Sequence, residues 1–123
     1  MAKAKWPKLP CFTIPLFQCA NVYLAVTRDQ FQQADAFLGG SIGDKPFNSG
    51  LTSNYENTGT GERVYLIGVF DNQLSTLVHE CAHACFYACD DVGVTTKPDE
   101  ANETYCYLLD RMFSHFLPYL KQE

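Results

Sequence analysis

Residues 77–86 read LVHECAHACF and hold His79, Glu80 and His83 in the order H-E-x-x-H. On a helix, residues four apart lie one above the other. His79 and His83 can then aim one imidazole nitrogen each at a single ion, at about 2.0–2.1 Å if that ion is zinc. Glu80 follows His79 by one position and is rotated by about 100°. Its carboxylate stands beside such an ion rather than on it. There it can take a proton from a water activated by the metal and pass it to a leaving amine. Zinc lowers the pKa of that water to about 7, which makes the chemistry available at neutral pH. The alternatives are an amphipathic helix that carries two surface histidines and no metal, or a structural zinc site with no catalysis.

Two histidines are half of a site, because a catalytic zinc takes three protein ligands and keeps one position open. Glu103, twenty positions after His83, is the preferred third ligand, with Asn102 beside it as a supporting polar group. Glu103, Cys106, Tyr107 and Asp110 form an i, i+3, i+4, i+7 stripe on a predicted helix, which faces either the histidines or solvent. Glu100 is the competitor for the third position, although a charge at a helix N-terminus explains it too. His115 is the one other histidine and lies near the far end of the last predicted helix.

The elements that must hold these residues follow from pattern. Residues 19–27, CANVYLAVT, are β-branched and apolar and predict a strand. Thr27 caps a predicted helix ending at Gly39-Gly40, with Phe31, Ala34 and Leu38 at helical spacing. Residues 40–61 are polar and glycine-rich and read as a long loop. Residues 62–71, ERVYLIGVFD, predict a second strand, followed by the H-E-x-x-H helix over 73–90. Asp71 or Asn72 is its cap and Gly93 its stop. Leu74, Leu77 and Val78 are expected to embed this helix. Thr96 or Lys97 is expected to cap the last helix, with Pro98, Asp99 and Glu100 in its first turn. Its apolar stripe is Ala101, Tyr105, Leu108, Met112, Phe116 and Leu120. The order β-α-β-α-α makes an α+β domain.

The chain has 123 residues, enough for one core. Residues 1–18, with Pro7, Pro10 and Pro15, read as an N-terminal arm, and 19–123 as a single domain. The formal net charge of -5 argues against nucleic acid as a partner. No apolar run approaches a membrane span, and the lysines of the first ten residues lack the apolar segment of a signal peptide. A cytoplasmic protein is the expectation. None of the six cysteines forms a C-x-x-C pair. Cys81, Cys85 and Cys89 share a helical stripe roughly opposite His79 and His83, as buried free thiols would.

His79-Glu80-x-x-His83 followed by Asn102-Glu103 resembles the gluzincin metallopeptidases over residues 62–113. HECAHA with NETYCYLLDRM is also similar to small zincin-like proteins of phages and prophages. Glu100-Ala101-Asn102 with Leu108-Leu109 is a weaker match to ImmA/IrrE-type peptidases, in which Glu100 would be the ligand. The resemblance implies a minimal zincin-like domain, in which a short sheet presents its edge strand to the H-E-x-x-H helix and a C-terminal helix brings the third ligand. It implies one zinc ion per chain on His79, His83 and Glu103, with Glu80 as general base and acid. It also implies a tyrosine or histidine that stabilises the transition state, for which Tyr107 and Tyr55 are the candidates and a packing role is the alternative for each. It implies a protein or peptide substrate, paired by β-augmentation on strand 62–71 with Gly68 permitting close approach. If phage-encoded, the protein would act in the host cytoplasm. The competing function is a zinc-stabilised, non-catalytic binding protein that grips a host protein.

Overall fold

The structure, a computed structural model, describes residues 5–43, 49–100 and 102–121. Lys3, Ala101 and residues 44–48 of the predicted loop lie outside these. In chain order the elements are β1 (Cys11–Thr13), β2 (Asn21–Ala25), α1 (Arg28–Phe37), β3 (Gly50–Glu56), β4 (Arg63–Val69), α2 (Leu74–Val92) and α3 (Glu103–Phe116). One 3-10 turn, Leu117–Tyr119, follows α3, because Pro118 has no N–H to continue an α-helix. The α+β class holds.

The four strands form one sheet in the order β1-β2-β4-β3. β2 and β4 run parallel at its centre, and β1 and β3 are antiparallel edges. Alternation sorts the side chains onto two faces. Val22, Leu24, Tyr65, Ile67 and Val69 join Leu77, Cys81, Cys85, Leu108 and Met112 under α2 and α3. Ala25 and Leu66 join Phe31 and Ala34 of α1 on the other face. Gly68 belongs to this second face: a Cβ there would collide with the rings of Phe70 and Phe31.

Three expectations change. First, strand 62–71 is interior rather than an edge. The edge beside α2 is β3, drawn from the segment that reads as loop. The hairpin between them closes on Asn57, whose side chain accepts from Gly59 N at 2.9 Å, and on Gly61 at a φ of 76°. Second, the arm ends earlier than residue 18. β1 pairs with β2, Ile14 is fully buried, and Trp6 packs edge-on against Tyr23 with centroids 4.8 Å apart. Third, α3 starts at Glu103, not near Pro98. Proline biases Lys97 away from helical backbone, and the Glu100 N–H closes a turn onto Lys97 O at 3.2 Å. Asp99 and Glu100 therefore precede the helix, and Glu103 is the acidic residue of its first turn.

The expected cap of α2 changes too: Gln73, not Asp71 or Asn72, is its N-cap, with no side-chain capping bond, and Leu74 and Val78 are exposed while Leu77 is buried. The cap of α1 and the stop of α2 hold. Thr27 accepts from Gln30 N at 3.1 Å as the cap of α1. Gly93 ends α2 in the left-handed region, with Val94 N returning to Cys89 O at 2.8 Å. Asp91, which opposes the dipole of α2, is compensated. It accepts the Tyr65 hydroxyl and pairs with Arg63 at 3.6 Å. Asn72 exchanges two hydrogen bonds with the backbone of Lys121, at 2.9 and 2.7 Å, and so ties the segment after α3 to the start of α2.

Candidate active site

The buried stripe of α2 runs through Leu77, Cys81, Ala84, Cys85, Ala88 and Cys89. That choice of inner face turns His79 and His83 outward on consecutive turns. Their Nε2 atoms are 3.2 Å apart, with the rings edge-on at 79°. Two nitrogen ligands at tetrahedral positions around zinc stand about 3.3 Å apart, given bonds of about 2.0–2.1 Å. The pair thus has the spacing of two ligands to one ion. A single ring proton shared between the two nitrogens also satisfies the contact.

Glu80, about 100° around the helix from His79, turns toward β3 and is only 6% exposed. Thr52 Oγ1 donates to Glu80 Oε1 at 2.6 Å. The hydroxyl also lies 3.2 Å from the Glu80 carbonyl oxygen. Oε2 faces Gly50, where a Cβ would stand 2.9 Å from it, 2.7 Å from Thr76 Cγ2 and 2.8 Å from Gly68 O. Glycine at 50 is what lets the edge strand approach the carboxylate so closely. A cleft of ≈ 430 Å³ opens here, lined by Ser49, Gly50, Ser75, Thr76, His79 and Glu80. Asp71 fixes its rim, accepting from Thr76 Oγ1 at 2.8 Å and from Gln73 N at 3.2 Å.

Beneath the site the thiols are quiet. Burial, and then the charge of Glu80, push Cys81 up to about 12. Burial also raises Cys85, with Cys81 and Cys89 adding to it. All six cysteines are free, and those of the α2 stripe stay protonated near neutral pH, so they are poor ligands and nucleophiles.

The first turns of α3 do pass the turn of α2 that carries His83. Tyr105 stacks on Phe86 with centroids 4.6 Å apart, and its hydroxyl donates to Ala82 O at 3.4 Å. Glu103 itself is exposed, as are Cys106, Tyr107 and Asp110 of its stripe. Among the described residues no three His, Cys, Asp or Glu side chains gather in the manner of a metal centre. Glu100 is exposed in the turn before α3, and Asn102 occupies the N-cap, its side chain donating to Lys97 O at 3.4 Å.

Neither candidate tyrosine lines the cleft. Tyr107 lines a separate groove with Pro15, Leu16, Thr104, Leu108 and Arg111. Tyr55 is on the α1 face of the sheet, where its hydroxyl donates to Asp35 at 2.7 Å. Adjacent residues of a strand point to opposite faces, so Tyr55 is turned away from the side that Thr52 presents to Glu80. His115 is 2.8 Å from Cys11 O, at the far end of α3.

Sequence reasoning missed Thr52, Gly50 and Thr76. A weak signal was present: Leu51 and Tyr55, four apart and so on one face of a strand, precede the turn cluster Asn57–Gly61. Among the described residues, no helix is long and apolar enough to cross a membrane. No protein-family model, no curated protein and no solved structure matches this chain.

Proposed function

We propose that the protein is a zinc-dependent metallopeptidase that hydrolyses a peptide bond in a protein or peptide substrate. The observation that carries this reading is the pairing of two outward imidazole nitrogens, 3.2 Å apart, with a neighbouring carboxylate that a threonine holds at the mouth of a cleft. His79 and His83 would hold the ion; Glu103, exposed on α3 and not gathered with them here, would have to turn toward the histidines to complete the set. Zinc, when bound, supplies Lewis acidity and acidifies a water.

The chain's own groups do the rest. Thr52 occupies Oε1 of Glu80, which leaves Oε2 to take the proton of the attacking water and return it to the leaving amine nitrogen. An extended peptide would pair with the outer edge of β3, which has no strand partner on that side in the described sheet. β3 therefore takes the substrate-binding role that the sequence suggested for strand 62–71.

The test is metal content of the purified protein, wild type beside Glu103→Ala and Glu100→Ala, followed by a peptide-library cleavage screen with Glu80→Gln as control. The expected result is one zinc per chain, falling to half an equivalent or less in Glu103→Ala and kept in Glu100→Ala. Cleavage should fall by at least about 10²-fold in Glu80→Gln with zinc retained. A wild type that takes up no zinc, even on addition, refutes the reading. Zinc uptake with no cleavage in the screen would favour the non-catalytic binding protein.

A further inference from the structure

The outer face of α2 is unlike the rest of this acidic surface. Between Leu74 and Cys89 the helix carries one formal charge, Glu80, and that one is buried. Leu74, Val78 and Phe86, instead of embedding the helix, are 53%, 40% and 49% exposed. With Ala82 they form an i, i+4 row about 18 Å long. His79 and His83 run alongside it. An uncharged apolar row along an exposed helix is a surface on which another protein face could pack, although Phe86 already stacks in part on Tyr105.

The histidines indicate what covers it. The described residues supply two ligands for a tetrahedral ion and no third in place. A second copy of the same face supplies two more imidazoles. Two copies related by a two-fold axis through the ion would cross α2 on α2, with the apolar row of each flanking the histidines of the other. Each chain carries a net charge of -5, so two copies repel over most of their surfaces. This face is where they can meet without juxtaposed like charges, and the bridging cation adds attraction.

We propose that at limiting zinc two copies share one ion through His79 and His83 of both, in a four-histidine dimer. Four protein ligands leave no open position. The dimer would therefore be a closed form of the candidate active site, opened when a further ion lets each chain hold its own. The proposal rests on the zinc reading of His79 and His83, but not on Glu103 or on catalysis.

Sedimentation velocity on the full chain, with half an equivalent of zinc and then with chelator, tests it alongside the metal content of each species. The expected species is a dimer holding one zinc per two chains, returned to monomer by chelator. It should be absent in His79→Ala and His83→Ala and preserved in Glu103→Ala. Val78→Lys, which removes no ligand and places like charges across the interface, should weaken dimerisation at least tenfold. A monomer with one zinc that requires Glu103 overturns the dimer while leaving the peptidase reading standing. A monomer that binds no zinc overturns both. A dimer indifferent to chelator or to His79→Ala overturns the metal bridge.

Discussion

Thr52 is the residue on which the candidate site turns. Its hydroxyl reaches Glu80 at 2.6 Å, and among the described residues no buried side-chain polar atom is left without a partner. Replacing it with valine keeps the shape and removes the donor, leaving a nearly buried carboxylate oxygen unmatched. Hydrogen bonds to charged groups contribute about 1.5–3 kcal/mol. Thr52→Val should lower unfolding stability by that amount in denaturant titration, whereas Thr52→Ser should recover most of it. Equal stability of the valine variant and the wild type would mean that Glu80 is not held as described. Glu80 and the two histidines were legible in the sequence because four-residue helical spacing is a local property. Thr52 was not, since its meeting with Glu80 depends on a strand twenty-eight positions upstream.

At the scale of elements, β3 and α2 form the cleft by an approach that only glycine permits. A Cβ at position 50 would stand 2.8 Å from the backbone oxygen of Gly68, which cannot rotate away. Gly50→Ala should thus push the strand off the helix and cost about 1–3 kcal/mol, read as a lower denaturation midpoint at unchanged slope. No loss of stability would show that the strand has slack. The same pair explains the limit of sequence reading. α1, α2 and β4 carry strong periodicity and were placed within a few residues. β3 covers an edge and contributes polar side chains to the α2 face, so its pattern imitates a loop. The start of α3 was misjudged because Pro98, Asp99 and Glu100 make the signature of a first turn, while the chain uses them to build the turn before it. The arm was misjudged for a related reason. Three prolines punctuate it, yet Ile14 and Trp6 supply apolar surface that the sheet buries.

For the molecule as a whole, the core under α2 is rich in groups that resist ionisation. Cys81 is pushed up to about 12 from an ordinary 9.0, and Cys85, Cys89, Tyr65 and Tyr105 are raised as well, burial being the largest cause for each. A raised folded pKa means that the unfolded chain loses its protons first. Stability is complete below about pH 9 and falls as pH climbs toward the folded values. The melting temperature should therefore drop steadily between about pH 9 and 11, less steeply in Cys81→Ala than in wild type, by calorimetry with chelator and reductant present. A flat profile over that range would mean that the thiols are wetter than the structure shows. The order of elements along the chain has one more consequence, for synthesis. The strands come first and the two helices that cover Val22, Leu24, Ile67 and Val69 come last. A nascent chain released only as far as residue 73 can pair its strands while one whole face stays bare. Ribosome pausing there should leave the protein at its most chaperone-dependent, and emergence of α2 should end that window.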